Sequence, residues 1–504
     1  MRTKRILSLL LAVLMLAPVF ASCDKDTPDT PDTPDNPDTP PVSDTTPADT
    51  EPAETGLVLD KTDFGGMELR VMGVSAEQNY GYYATADIWR EEDSADPYEA
   101  AVYNRVQDCI NKYNFTVTYT DDKSPINAVA SMSAGGLDQV DLVFHAWSGM
   151  YVATKNGHLL DLMEISSIDL SNPWWDQNAN EELSVANRLF YTTGEISTID
   201  DRCTRALYFN KDLAAAKSLE SPYELVANNQ WTFDKFAQMC REVYTDVDGG
   251  GTLDEDDVVG MFYENGQFPY MMTACGEKFA SLDEDGKPIY TWLQTPEAVT
   301  KMETVAGFFI EDNTTFHINK YTNFGSFSNK YAYARSKFAA GKHLFSMGGA
   351  LVITEFADME NSFGIVPTPK WNADQTRYYH IVEGSCPMYG IPNTKTDATD
   401  IGYMLEYFAW EGMETVTPTY KERMLKRRYA QDTESADMLD LIYASKCFDV
   451  GYVGNWSGVV NQANGSIDSG KLPKMSAYNR LAKTVPALIE KDFEAFATVG
   501  RDVQ

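Results

Sequence analysis

An α/β fold with a parallel sheet is predicted by three features of this 504-residue sequence. Strand-like and helix-like runs alternate over residues 67–160. Hydrophobic residues make up 43% and aromatics 12%, enough for a sizeable core in two or more packed domains. Pro-rich, acidic composition is confined to one N-terminal stretch, so the rest of the chain is free to fold.

The elements follow in order. Met67 to Val74 alternates as a first strand. Val102, Val106 and Ile110 recur every four residues and mark one face of a helix. Asp96 suits its N-cap and Pro97 its first turn. Phe115 to Thr120 alternates as a second strand, and Pro125 to Met132 predicts a shorter helix. Val140 to Phe144 is the third strand. This β-α-β-α-β order implies right-handed crossovers and a ligand position beyond the carboxyl ends of the strands. His145, Trp147 and Ser148 fall there.

Residues 1–22 read as an export signal: Arg2, Lys4 and Arg5 precede a short apolar run from Ile6 to Leu16. That run is too short to span a bilayer comfortably. Ala21-Ser22-Cys23 resembles the bacterial lipobox, with Phe20 where leucine is usual. The resemblance implies a diacylated Cys23 as the first residue of the exported protein; the competing reading is an ordinary secretory signal. Residues 24–56 repeat Thr-Pro-Asp and are predicted to form an extended, self-repelling tether. A lipidated cysteine, a stalk and a body from about residue 57 describe a protein held off the outer face of a membrane.

The net charge of −34 argues against nucleic acid, whose phosphates need clustered lysine and arginine. It also argues for a soluble, mutually repelling monomer. Enzyme signatures are missing. The five histidines are His145, His158, His317, His343 and His380, and neither H-E-x-x-H nor G-x-S-x-G occurs. Glycosidase or lyase chemistry by a carboxylate pair stays open, because carboxylate separation is not a sequence quantity. Beyond Cys23 there are six scattered cysteines without C-x-x-C, so zinc is not expected and no disulfide pairing can be chosen.

Several segments together resemble the extracellular solute-binding proteins of the maltose-binding type that serve sugar ABC importers. They are VDLVFHAWSGMYVATKNGHLLDL (140–162), NPWWDQNANEELSVANRLFYTTGEIS (172–197), ALYFNKDLA (206–214) and NNQWTFDKFAQMCREVY (228–244). FAAGKHLFSMGGALVI (338–353), FGIVPTPKWNADQ (363–375) and LPKMSAYNRL (472–481) continue the series. The resemblance implies a type II periplasmic-binding-protein clamp whose two lobes each hold a mostly parallel sheet flanked by helices. Lobe one is expected at 57–200 plus about 384–435, and lobe two at about 201–383 plus about 436–504. Interlobe crossings are expected near 198–204, 381–388 and 430–440.

The implied function is capture of a carbohydrate, an oligosaccharide, in the interlobe cleft and delivery to permease subunits. A non-sugar solute or a sensing role is the alternative. Pyranose faces stack on flat rings and their hydroxyls bond polar side chains. The expected contacts are His145, Trp147, Ser148, Trp174, Glu195, Arg202, Glu383, Trp456 and Tyr478, with Tyr80, Tyr82, Tyr83 and Asp201 as further candidates; for Glu195, Asp201, Arg202 and Glu383 the competing reading is hinge salt bridges, and for His145 a structural histidine. Trp175 is expected to pack structurally. Ala350 stands where maltose-specific members carry an aromatic, which implies a different specificity.

One loop fits an EF-hand register. Asp246, Asp248, Gly250, Thr252, Asp254 and Asp257 take the ligand positions and Gly251 the turn. Gly250 and Asp257 depart from the usual residues, and the competing reading is an acidic solvated turn. The expected ion is a structural calcium; no other cofactor is implied.

Overall fold

The computed structural model describes residues 57–500, apart from 58–59, 76–82, 86, 312–313, 357–358 and 427–432. The signal, Cys23 and the tether lie outside the described residues, as do Tyr80 and Tyr82. Among the described residues, no helix is long and apolar enough to cross a membrane.

The first sheet is built from β1 (Met67–Val74), β2 (Phe115–Asp122) and β3 (Leu142–Ala146). The helices α1 (Pro97–Tyr113), α2 (Pro125–Gly135) and α3 (Trp147–Lys155) follow them. Asp96 caps α1 by accepting the amides of Tyr98 and Glu99 at 3.1 and 3.2 Å. Asn114 ends it in the left-handed region at φ 54°. Strands β2 and β3 pair with β1 in parallel, as the crossovers demand. The third strand starts two residues later than expected, because Asp141 turns its carboxylate onto the amide and guanidinium of Arg70. The ladder then runs on to Ala146.

The second sheet contains β4 (Arg205–Asn210), β5 (Val259–Tyr263), β8 (Thr315–His317), β9 (His343–Gly349) and β10 (Phe363–Val366). Its order is β10-β4-β9-β5-β8. It is mixed where a mostly parallel sheet was expected. Strand β4 runs against both neighbours, β9 and β10, because the chain enters this sheet from the first one. Helix Phe233–Val243 covers one face. It lies so close to the sheet that a Cβ on Gly260 would meet the Cβ of Cys240 at 2.2 Å.

The hairpin of β6 (Ala280–Leu282) and β7 (Pro288–Tyr290) reaches back toward the first sheet's helices. Its Gly286 carbonyl accepts the amide of Ala186 at 2.9 Å. Strands β11 (His380–Ile381) and β13 (Lys446–Cys447) pair in parallel. Strand β12 (Pro387–Gly390) then joins the first sheet antiparallel to β3.

The helix Val485–Thr498, assigned above to lobe two, packs instead on the first sheet's layer. Its Phe496 ring lies 5.2 Å from that of Tyr151 on α3, and its Asp492 pairs with Lys155 at 3.0 Å. The third crossing was expected near 430–440 and falls partly on residues 427–432, outside the described residues.

Candidate functional site

The segments between the two sheets are stitched together. Thr204, just before β4, forms an antiparallel bridge with Val382, just after β11. The amide of Trp147, at the head of α3, donates to Cys386 O at 2.9 Å, and that of Ser148 to Gly384 O at 3.3 Å. The carboxyl end of β3 is therefore tied to the second crossing, where Glu383 sits.

Glu383 is 5% exposed and is the hub of a mixed cluster. Its carboxylate accepts the Tyr83 hydroxyl on one oxygen and the Arg205 guanidinium on the other. Arg205 heads β4 and lies 4.9 Å from the centre of the Tyr270 ring, a cation–π contact. Tyr270 meets Tyr452 through their hydroxyls at 3.2 Å. Burial opposes the charge on Arg205, but Glu383 beside it holds the guanidinium protonated, well above its ordinary pKa. Burial, then the charge of Glu383, pushes the Tyr83 hydroxyl up as well. Among the described residues, the Nε of Arg205 has no hydrogen-bond partner.

Beside the second sheet, Arg335 on the helix Lys330–Ala339 pairs with Glu264 at 3.2 Å and with Glu355 at 2.5 Å. Together these residues set rings beside fixed donors and acceptors: Tyr83 lies in the segment after β1, Glu383 at the second crossing, Arg205 on β4, and Tyr270 and Tyr452 on the short helices Gln267–Ala274 and Val450–Gly454.

His145 and Ser148 lie next to this cluster. Ser148 is exposed; His145 is half-buried, and burial lowers its pKa. The ring of His145 lies over the first turn of α3, where a Cβ on Gly149 would meet its Nδ1 at 2.2 Å.

Other expected contacts are buried or half-buried among protein side chains. Trp147 is fully buried; its Nε1 donates to Glu383 O at 2.8 Å and its ring packs on Phe448. It braces the crossing where a stacking platform was expected. Trp456 is 3% exposed and donates to Asp492 at 2.8 Å, tying the last helix down. Tyr478 is 2% exposed within the second sheet's core. Arg202 is largely buried at the first crossing beside Asp87, Tyr98 and Tyr420; burial opposes its charge and Asp87 supports it. Ala350 is buried where β9 gives way to a short 3₁₀ segment.

Trp174 and Glu195 line a different cleft of about 330 Å³. Asp176, Asp200, Asp201, Tyr443 and Lys446 share it. The Lys446 ammonium lies 2.5 Å from Asp200, 2.7 Å from Asp201 and 3.3 Å from Asp176. One cation among three carboxylates leaves a surplus of negative charge. Burial, against the pull of Lys446, raises Asp200 to about 7. Glu195 is also raised, by burial and then by Asp201, although Thr417 donates to it.

A raised carboxyl pKa means that the folded state holds the proton where the unfolded chain does not. Its contribution to stability is therefore lost as pH rises from about 4 toward 7. Asp200→Asn should flatten that part of the stability profile and cost little at pH 8, read by urea midpoints. Lys446→Met should cost about 3–5 kcal/mol at pH 8, because it leaves buried carboxylates without their cation.

In the acidic loop, ligand oxygens of Asp246, Asp248 and Asp257 lie within 4.8 Å of one another. The loop wraps on itself: Gly249 and Gly251 donate to Asp246 at 2.7 and 2.8 Å, and Val247 and Asp254 to Asp257 at 3.0 and 3.1 Å. Those three carboxylates would hold a hard cation through oxygens that still have free lone pairs. Asp254 is turned away and caps Asp256 at 2.9 Å; Gly250 and Thr252 contribute no carboxylate.

Sequence reasoning missed Arg205, Tyr270 and Tyr452. Arg205 had one signal, its place at the head of the strand that leaves the first crossing. Nothing local marks the two tyrosines, which meet across 182 residues.

No family model and no curated protein matches the sequence. Solved structures do match the fold. A cyclo/maltodextrin-binding protein complexed with maltotetraose aligns with a TM-score of 0.55 at 12% identity, over 86% of this chain and 99% of that one. UspC of M. tuberculosis aligns with a TM-score of 0.52 at 12% identity, over 84% of this chain and 100% of that one. At such identities the likeness is one of fold alone: two mixed sheets flanked by helices, as in type II periplasmic-binding-protein structures.

Proposed function

We propose that this chain is a substrate-binding protein that captures an oligosaccharide between its lobes and delivers it to an ABC import permease. Lipid on Cys23 would hold it on the outer face of a membrane. The cluster of Tyr83, Glu383, Arg205, Tyr270 and Tyr452 is the observation that carries the reading. It combines rings that suit the C–H face of a pyranose with a charge pair that suits its hydroxyls. It also joins both sheets at the crossing, where a ligand touching all three parts would favour closure. His145 and Ser148 extend the same surface. In this reading the lobes would keep the boundaries expected above, with the last helix moved to lobe one.

The test is a thermal-shift screen against a glycan panel. A glycan at 100 times its Kd should add about 2.7 kcal/mol of stability. Mass spectrometry of the glycan should show no product. No shift with any glycan, together with a shift from an amino acid or peptide, would replace the sugar by another solute. Turnover of the glycan would point to the carboxylate chemistry of a glycosidase instead.

We also propose a structural calcium at Asp246, Asp248 and Asp257. Calcium should raise the melting midpoint over chelator, and Asp248→Asn should remove most of that rise. An equal midpoint in calcium and chelator would leave the loop a solvated turn.

A further inference from the structure

The segments that link the two sheets carry three cysteines: Cys203 before β4, Cys386 before β12 and Cys447 in β13. All three are free and buried. Two of them are brought together. The bridge between Thr204 and Val382 holds the first and second crossings side by side. The Glu383 amide donates to Cys203 O at 3.5 Å, and the Cys386 amide turns back to Glu383 O at 2.8 Å. The two thiols are thereby near enough to influence each other's titration, and the Cys386 thiol also donates to Pro387 O at 3.6 Å. Both belong to the same apolar cluster as Trp147, Ile199 and Val382. Cys447 lies apart, beside Lys278 and Glu182.

We infer that Cys203 and Cys386 are a disulfide-forming pair that locks the first interlobe crossing to the second. The co-reactant is a small-molecule disulfide. One cysteine thiolate attacks it, forming a mixed disulfide and releasing one thiol. The second cysteine thiolate attacks the protein sulfur of that mixed disulfide and releases the other thiol. Two cysteines lose two protons and two electrons, and the oxidant takes up both pairs. Burial pushes both thiols up and away from the reactive thiolate. Exchange therefore waits for a local opening that lets the oxidant reach the thiols. The effect on hinge motion rests on the two-lobe reading above; formation of the bond needs no ligand.

The full chain, first reduced, is incubated with oxidised glutathione, quenched with iodoacetamide and analysed by intact mass and peptide mapping. The expected result, against a reduced and alkylated control, is a mass lower by two carbamidomethyl additions and two hydrogens, with one Cys203–Cys386 cross-link. The cross-link should persist in Cys447→Ser and disappear in Cys203→Ser. The oxidised protein should also melt at a higher temperature than the reduced one. The inference is overturned if Cys203 and Cys386 are both alkylated after oxidation, if glutathione stays on either one, or if the cross-link joins another pair. A cross-link without any glycan shift would overturn the sugar reading alone, and a glycan shift without the cross-link would overturn this inference alone.

Discussion

Replacing Glu383 by alanine is expected to abolish glycan-induced stabilisation and to lower the folding free energy by about 3–5 kcal/mol. The size follows from what the carboxylate neutralises. Glu383 is 5% exposed, and its two oxygens separately receive the Tyr83 hydroxyl and the Arg205 guanidinium. Removing it leaves a largely buried arginine without its anion and a phenol without its acceptor. Solvation is the only replacement, and burial limits it. The main-chain part of the crossing should survive, because Trp147 bonds the Glu383 carbonyl and not its side chain. The variant should therefore fold, with a lower urea midpoint.

Glu383→Gln should fall between the two, since the amide oxygen can still accept one of the two donors. The double variant Arg205→Met, Glu383→Leu separates stability from function. Replacing a buried pair by apolar residues of similar volume is often neutral, so its urea midpoint should return toward the parent value. Glycan binding should not return. Recovery of binding in that double variant would remove the ion pair from the site.

Local patterns made the first sheet readable. The alternation in β2 and the Val102–Val106 spacing in α1 reflect burial on one face, which each segment carries by itself, although Ile110 one turn further on is exposed and β1 is buried on both faces toward its end. The start of β3 was misplaced because Asp141 looks like any polar strand residue until Arg70 is known to face it. The antiparallel entry of β4 was hidden for a similar reason, as its partners lie far along the chain in β9 and β10. Aromatic residues were the least legible. Trp147 does sit at the carboxyl end of β3, but its indole N–H found an acceptor inside the protein, so the ring turned inward. Trp456 found Asp492 in the same way. An indole near a strand end satisfies its donor wherever a carbonyl or carboxylate is closest, and only the folded chain decides where that is. Glu383 was legible only as a carboxylate at the second crossing, where a ligand contact and a hinge salt bridge were equally open. Its partners Arg205 and Tyr83 are separated from it by 178 and 300 residues.

The Trp174-Trp175 pair leads to the second large expected effect, which lies away from the cleft. Glu406, on the helix Thr399–Glu411, is 3% exposed and accepts four hydrogen bonds. One oxygen takes the Asp169 amide at 2.8 Å and the Trp175 indole at 2.9 Å. The other takes the Asn172 amide group at 2.9 Å and the Trp174 indole at 2.8 Å. A carboxylate has about four acceptor positions, and here all are used. Burial still raises the pKa of Glu406 against the pull of those donors.

Glu406→Ala should cost about 3–5 kcal/mol, because each buried donor left unmet costs about 1–3 kcal/mol and water can enter to meet only some of them. Glu406→Gln should cost nearly as much, since its amide group turns donors toward donors on one side. Both variants should lower the urea midpoint and shift tryptophan emission to longer wavelength as the indoles meet water. Glycan binding should persist at temperatures where the variants remain folded. A loss of binding in folded Glu406→Gln would show that the tryptophan pair, and the acidic cleft it lines, belongs to the ligand site after all.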